Sequence, residues 1–339
     1  MTPTITVFMA AYNAANYIKE SIQSILDQTY EDFELVIVND GSTDDTVAVV
    51  NSFKDPRIRL LHNPENKGLT YTRNVILTAA RGEYVAILDS DDIASPNRLK
   101  LQYDFFKSHP EVLLCGGHGA IINQKGEHVD SDNLHVPTGI DRVKATLLFK
   151  NPFVNSTVMY KTDVFKSLNG YQDYAPAEDY ELFTRIADQH AVGNIDEVLV
   201  RYRIHENNTS ILNAEVAMEK VKQIKRNQLK KLGLPTDQHR VEVLYSIQIW
   251  DHRRFKISDY LQIFKELKAA NRKLDKYPVI AFEKMLFEQW FEVLYTKKAK
   301  MNAISLFFNP DLFNLPALNF RQIRKMIKLS VKGFGRLSN

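Results

Sequence analysis

Val85-Ala86-Ile87-Leu88-Asp89-Ser90-Asp91-Asp92 is an apolar run that ends in three carboxylates within four residues. Apolar residues bounded by polar turn chemistry read as a buried strand, and the acids fall just past its carboxyl end. Carboxylates this crowded repel one another unless something positive is shared between them, and a hard divalent cation is one such partner. An ordinary strand-to-helix turn uses the same residue types, with Ser95 as N-cap and Pro96 as first residue of the next helix. The rest of the chain separates these two readings.

Upstream, Ile5-Thr6-Val7-Phe8-Met9-Ala10 suits a central strand, and Ala11-Tyr12-Asn13 is its turn. Tyr17, Ile18, Ser21, Ile22, Ile25 and Leu26 recur at helical spacing, giving a helix to about Gln28. Phe33 to Val38 is a second strand, and Asn39-Asp40-Gly41-Ser42-Thr43-Asp44 turns into a helix that Ser42 or Thr43 would cap. Ile58 to Leu61 is a third strand. Asn66-Lys67-Gly68 then leads into a helix with Leu69, Thr72, Arg73, Ile76 and Leu77 on one side. This alternation predicts an α/β fold with a mainly parallel, Rossmann-like central sheet and helices on both faces.

In such sheets ligands bind outside the carboxyl ends of the strands. Tyr12, Asp40 and the Asp89 cluster each follow a different strand, so three polar groups distant in sequence converge on one crevice. Neither a Gly-x-Gly-x-x-Gly nor a Gly-x-x-x-x-Gly-Lys-Ser/Thr loop is present, which argues for a nucleotide held by side chains and a metal.

Downstream, a helix from Leu99 to about Lys107 precedes a strand with Cys115 and a Gly-rich turn, Gly116-Gly117-His118-Gly119. A hairpin and loop over 120–140, a helix near Asp141 to Phe149 and a strand over Ser156 to Tyr160 follow. Ala177-Glu178-Asp179 opens a helix. Acids in a first turn are stabilised by the helix dipole, and such a carboxylate can also serve as a base. Val198 to Ile204 reads as a strand closed by His205, an available metal ligand.

The chain of 339 residues suits about two domains, and its 44% hydrophobic content supports ordinary cores. With 44 basic against 41 acidic residues, the net charge gives no sign of nucleic-acid binding. A single cysteine, Cys115, excludes an intrachain disulfide framework and a cysteine-based zinc site. Met1-Thr2-Pro3-Thr4 does not start a signal peptide and no stretch reaches the roughly 18 apolar residues of a membrane span, so a cytoplasmic protein is expected.

After Asn213 the pattern changes to long helices. The expected domains are therefore residues 1–212, catalytic, and 213–339, helical, the latter serving acceptor, membrane-surface or subunit contacts. Arg321, Arg324, Lys325, Lys328, Lys332 and Arg336 occur without an acid among Ile323, Met326, Ile327, Val331 and Phe334. Such a basic amphipathic helix suits either an anionic membrane surface, making the protein peripheral on the inner face of the plasma membrane, or a solvated face over an ordinary core stripe. No recognised nucleic-acid motif accompanies the charge.

Taken together, residues 4 to about 211 resemble the family 2 glycosyltransferases, enzymes of the GT-A fold that use nucleotide sugars. The resemblance rests on Ala11-Tyr12-Asn13, Gln28-Thr29-Tyr30, Asn39 to Asp44, Asn66-Lys67-Gly68 with Arg73-Asn74, Asp89-Ser90-Asp91-Asp92, Glu178-Asp179 and Arg203-Ile204-His205. It implies a nucleotide-sugar site of Ala11, Tyr12, Asp40, Lys67, Gly68, Arg73, Asn74, Asp89, Ser90 and Asp91. In it Tyr12 and Asp40 flank the base, Asp89 meets the ribose, and Asp91 binds Mn²⁺ or Mg²⁺ on the diphosphate. His205 is a further metal or diphosphate ligand, Asp89 an alternative one, Asp179 the base, and Glu178 lies on the acceptor side.

The resemblance also implies a UDP-sugar donor, a glycan or lipid-linked acceptor, and inversion at the sugar carbon. The Gln-x-x-Arg-Trp motif of the family's processive polysaccharide synthases is missing, which favours transfer of one or a few sugars. Two other readings exist: a carbohydrate-binding or scaffolding protein with a vestigial nucleotide site, and a glycoside hydrolase with paired carboxylates. The hydrolase leaves Tyr12 and Asp40 unexplained.

Overall fold

The computed structural model describes residues 2–129, 133–206, 214–297 and 303–334. Eight strands form one sheet: β1 Ile5–Ala11, β2 Phe33–Asn39, β3 Ile58–His62, β4 Tyr84–Ile87, β5 Ile93–Ala94, β6 Val112–Ile122, β7 Met159–Lys161 and β8 Ala191–Arg203. Their order is β3-β2-β1-β4-β7-β6-β8-β5. The first four strands in that order run parallel, with Ile5 opposite both Phe33 and Tyr84. β7 is antiparallel to β4 and β6, β6 and β8 are parallel, and β5 is antiparallel to β8. The sheet is therefore mixed in its second half.

β1, β2 and β4 are buried along nearly their whole length, as continuous apolar runs covered on both faces require. Ile5, Val7 and Met9 pack with Ile18, Ile22 and Ile25 of helix α1 (Ile18–Leu26) and with Leu99 and Phe106 of the helix Arg98–Ser108. Buried polar side chains pair instead: Thr6 Oγ1 donates to Glu34 at 2.8 Å, and Arg59 holds the other Glu34 oxygen at 2.6 Å.

Several local expectations are corrected. Gly116-Gly117-His118-Gly119 is not a turn but the middle of β6. A Cβ on Gly116 would lie 2.7 Å from Asn194 Oδ1, and one on Gly117 2.7 Å from Leu199, so close strand packing explains both glycines. Ser95 is not an N-cap. The helix begins at Arg98, and Ser95 Oγ donates to the Val198 carbonyl at 2.8 Å. Neither Ser42 nor Thr43 caps the second helix, Thr46–Ser52; Asp44 accepts the Thr46 N–H at 3.0 Å. Residues 155–157 form a 3-10 turn before the short β7, and β8 runs from Ala191, well ahead of Val198. Cys115 is buried, its thiol pushed up to about 12, an inert core group.

The chain divides into two compact units. One holds residues up to Val143 with Pro152–Lys220 and contains the sheet; the other joins Lys144–Asn151 to the chain from Val221 onward. The expected break at 212/213 lies outside the described residues. The second unit is helical: Ala214–Lys231 leads into it, followed by Gln238–Gln248, Ile257–Leu274, Val279–Thr296, Ala303–Phe307 and Phe320–Phe334. Trp290, Phe264, Phe282 and Leu286 centre its core. Phe149 inserts beside Phe264 and Phe282, while Lys225 Nζ and Gln228 donate to the Leu148 and Leu147 carbonyls, each at 2.7 Å. No helix among the described residues is long and apolar enough to cross a membrane.

Candidate active site

Three strand exits build one side of the site. After β1, Asn13 takes a left-handed backbone (φ 49), donates its N–H to Ser42 Oγ at 3.0 Å and accepts the Thr43 N–H at 2.8 Å. This lacing leaves Tyr12 half exposed beside buried Ala11. After β2, Asp40 is buried and its carboxylate accepts from Asn63 at 2.7 Å and from the Lys67 and Gly68 N–H groups at 2.9 and 3.0 Å. Asp40 thus fixes the 66–68 loop, with about one of a carboxylate's four acceptor positions left over. The Lys67 ammonium pairs with Glu65.

After β4, Asp89 is held from several directions. Arg73 Nη2 donates at 3.0 Å, Asn155 Nδ2 at 3.1–3.2 Å and Ser156 Oγ at 3.0 Å. Asp91 turns the other way, its Oδ2 2.8 Å from His205 Nε2. Burial, then the charge of Asp89, raises the pKa of Asp91. Asp92 is fully buried and accepts the Arg203 N–H at 2.8 Å; burial, with Asp91 and Asp89 adding to it, drives its pKa well above the usual carboxylate range. Ser90 is tied through its carbonyl, which accepts from Ser21 Oγ at 2.9 Å.

Arg73 connects this cluster to the helix Glu178–Gln189. Its Nη1 donates to Glu178 at 2.5 Å while Nη2 reaches Asp89. Burial opposes its charge, but Asp89 and Glu178 outweigh that penalty and its pKa is raised. Glu178, given to the acceptor side by the resemblance, is almost fully buried, and one of its carboxylate oxygens accepts from Arg73. Asp179 is next to it, half buried, accepting the Tyr180 N–H at 2.6 Å. Burial and then Glu178 raise its pKa to about 6, with Arg73 opposing. Asn74 holds the Tyr171 backbone at both N–H and C=O, each at 2.8 Å.

Among the described residues no three or more His, Cys, Asp or Glu side chains converge as a self-contained cation site. Asp91 and His205 form a two-ligand set, a hard oxygen and an imidazole nitrogen hydrogen-bonded at 2.8 Å. Divalent cations at diphosphate sites take one or two protein ligands and complete their shell with phosphate oxygens and water. The pair fits such an ion.

Residues 6–168 match the family model described as "Glycosyl transferase family 2". The chain is also 33% identical over 213 residues to the O-antigen biosynthesis glycosyltransferase WbnJ of Escherichia coli, spanning 60% of this chain and 81% of that protein. The chain belongs to glycosyl transferase family 2. An uncharacterized glycosyltransferase of Haemophilus influenzae shares 29% identity with this transferase over 320 residues, 90% of this chain and 96% of its own, so that similarity takes in helical residues beyond the family model.

The fold of this family 2 glycosyltransferase has solved counterparts. S. aureus TarS 1-349 in complex with UDP-GlcNAc superposes with a TM-score of 0.55 at 20% identity, covering 85% of this chain and 87% of that one. The mannosyltransferase PcManGT from Pyrobaculum calidifontis, in complex with GDP-Man and Mn²⁺, gives 0.56 at 17%, covering 98% and 88%. The chain thus has the GT-A fold with a helical C-terminal region.

Sequence reasoning brought out Asp89, Asp91, Arg73, Glu178, Asp179 and His205, which the structure arranges in two contact sets: Arg73 with Asp89 and Glu178, the latter next to Asp179, and Asp91 with His205. It missed Asn155 and Ser156, which hold Asp89, and Tyr17, whose ring stacks on His205 at 5.0 Å. It also assigned no part to Arg203, whose buried guanidinium binds the Asp91 carbonyl at 2.8 Å and Glu20 at 2.5 Å. Only the Arg203-Ile204-His205 spacing carried a signal for any of these.

Proposed function

We propose that this glycosyltransferase moves a sugar from a nucleoside-diphosphate donor, a UDP-sugar, to a hydroxyl of a glycan or lipid-linked acceptor, with inversion and in a metal-dependent reaction. The acceptor O–H proton passes to Asp179 as the oxygen attacks the sugar C1. The C1–O bond breaks, and its electron pair leaves with the diphosphate. A single in-line displacement inverts that carbon.

The observation that carries this reading is the Arg73 bridge. By gripping Asp89 and Glu178 together it sets Asp179 within the electrostatic reach of the strand-exit acids. A carboxylate titrating at about 6 is ionised at neutral pH yet more basic than an ordinary aspartate, as a general base needs to be. Asp91 and His205 would hold Mn²⁺ or Mg²⁺. When bound, that ion supplies positive charge to the departing diphosphate.

TarS with UDP-GlcNAc and PcManGT with GDP-Man and Mn²⁺ support a nucleotide-sugar donor and metal use; UDP is our choice between the two bases by family resemblance. The O-antigen relative supports a cell-surface glycan as product. We assign nucleotide contacts to Ala11, Tyr12, Asp40, Gly68, Asp89, Ser90 and Asp91. Lys67 and Asn74 support the surrounding loops, with Lys67 turned to Glu65. We assign catalysis to residues 1–212, acceptor or subunit contacts to the helical 213–339, and the reaction to the cytoplasmic side of the plasma membrane.

Isothermal titration with UDP should show binding that requires Mn²⁺ or Mg²⁺. A panel of nucleotide sugars should then reveal one donor that is slowly hydrolysed without acceptor. Asp179→Asn should keep the metal-dependent binding and lose transfer; full transfer by that variant removes Asp179 as base, and binding with no turnover of any donor points to a vestigial site.

A further inference from the structure

From Leu312 to the end the chain carries six basic residues and no acid. Within this stretch the helix Phe320–Phe334 packs its Gln322 and Met326 inward, against the Val279–Thr296 helix and the short Ala303–Phe307 helix. Lys325 also faces inward, its ammonium 4.0 Å from the Tyr295 ring centroid. The opposite arc is bare. Phe320 is 79% exposed and Ile327 51% exposed, and at 100° per residue they fall within about 20° of each other. Arg324, Lys328 and Arg321 follow along one flank of that apolar edge, all exposed. Leu315, 68% exposed, and the exposed Ile304 and Phe308 belong to the segments just before.

A large aromatic left in water beside a row of cations needs a partner that is apolar inside and anionic outside. A second copy of the same face would set like charges against each other, and a polyphosphate chain has no use for Phe320 and Ile327. A bilayer containing anionic lipid satisfies both halves: the apolar edge enters the acyl boundary while the three basic heads stay at the phosphate level.

We infer that the exposed Phe320–Ile327 edge of the last helix, flanked by Arg321, Arg324 and Lys328, is a seat for an anionic membrane surface. It deepens the proposed acceptor class, because a lipid-linked acceptor is presented at such a surface, but it rests on none of the catalytic residues.

The test is flotation of the full chain with phosphatidylcholine vesicles, with and without phosphatidylglycerol. Co-flotation with the anionic vesicles alone is expected. Replacing Arg321, Arg324 and Lys328 together by Gln should weaken partitioning about a hundredfold, and Phe320→Ser with Ile327→Ser should abolish what salt leaves. Melting curves matching the parent will show that both variants fold. Equal partitioning into neutral vesicles, no flotation, or variants that float like the parent each overturn the inference. So does concentration-dependent dimerisation that Phe320→Ser abolishes, since the face would then belong to a second copy. Metal-dependent UDP binding in vesicle-free solution should be unchanged in both variants, which keeps this outcome separate from that of the catalytic proposal.

Discussion

Tyr17 and His205 lie ring on ring, 5.0 Å between centroids and 29° between planes, although 188 residues separate them (205 − 17). The Arg203 guanidinium sits 4.9 Å from the centre of the same tyrosine ring and is itself fixed by the Asp91 carbonyl and Glu20. Tyr17 therefore sets the plane in which His205 Nε2 meets Asp91. Tyr17 acts through the His205 ring and Arg203 through the Asp91 backbone, so both bear on the pair they orient.

Removing the stack should loosen the cation site without abolishing it, because partners that orient a ligand typically contribute 10- to 100-fold in metal affinity. Tyr17→Leu should weaken Mn²⁺ binding measured by titration in the presence of UDP by about tenfold, with turnover recovering at saturating Mn²⁺. Tyr17→Phe keeps the ring and should behave like the parent. Equal damage from both substitutions would mean that the hydroxyl, not the stack, matters.

Arg73 lies between half-buried Asp89 and buried Glu178, and breaking such a pair by deleting one partner typically costs about 3–5 kcal/mol. Arg73→Met should lower stability by that order in urea unfolding. Adding Glu178→Gln removes one stranded charge and should return part of the loss. A double-mutant cycle with no coupling energy would show that Arg73 and Glu178 act independently.

The strands and the acid cluster were legible because continuous apolar runs and abrupt polar exits are local signals. Asp89 and Asp91 could be found in this way. What holds them could not: Asn155 and Ser156 reach Asp89 across 66 and 67 residues, and nothing in the run Asn155-Ser156-Thr157 distinguishes a buried clamp from the start of a strand. Gly116 and Gly117 misled for a related reason, since glycine marks both a turn and a strand crossed at close range. Lys144–Asn151 joins the helical unit through the burial of Ala145, Leu148 and Phe149 and through Lys225 and Gln228 meeting two backbone carbonyls, long-range pairings with no periodicity to reveal them.

Asp179 predicts two pH dependences of opposite sense. With Asp179 as the proposed base, transfer would need its carboxylate, so turnover should rise with pH through a limb near 6. Glu178→Gln should move that limb downward, because the charge of Glu178 is part of what holds the pKa up. Stability runs the other way. The folded pKa exceeds the unfolded value of 3.8, so the contribution of Asp179 is complete below about pH 4 and is lost as pH rises through about 6. Asp179→Asn should match the parent's unfolding free energy at pH 4 and exceed it at pH 8 by the order of 2 kcal/mol, read by urea unfolding. A limb that stays in place when Glu178 is changed assigns it to another group.

Lys225 supplies the last prediction. It is fully buried, and burial drives its pKa well below the ordinary 10.5, while its Nζ donates to the Leu148 carbonyl at 2.7 Å. Above its depressed folded pKa and below 10.5 the unfolded chain binds the extra proton, so stability must rise with pH across that window. Lys225→Met removes the titration but leaves the Leu148 carbonyl without its donor, a loss of about 1–3 kcal/mol. The variant should therefore be less stable than the parent at pH 9, with the gap closing toward pH 6 as the parent loses its own advantage. Urea unfolding at both pH values reads this directly. A gap that is constant with pH would mean that Lys225 keeps its proton in the fold and that the Leu148 contact is an ammonium's.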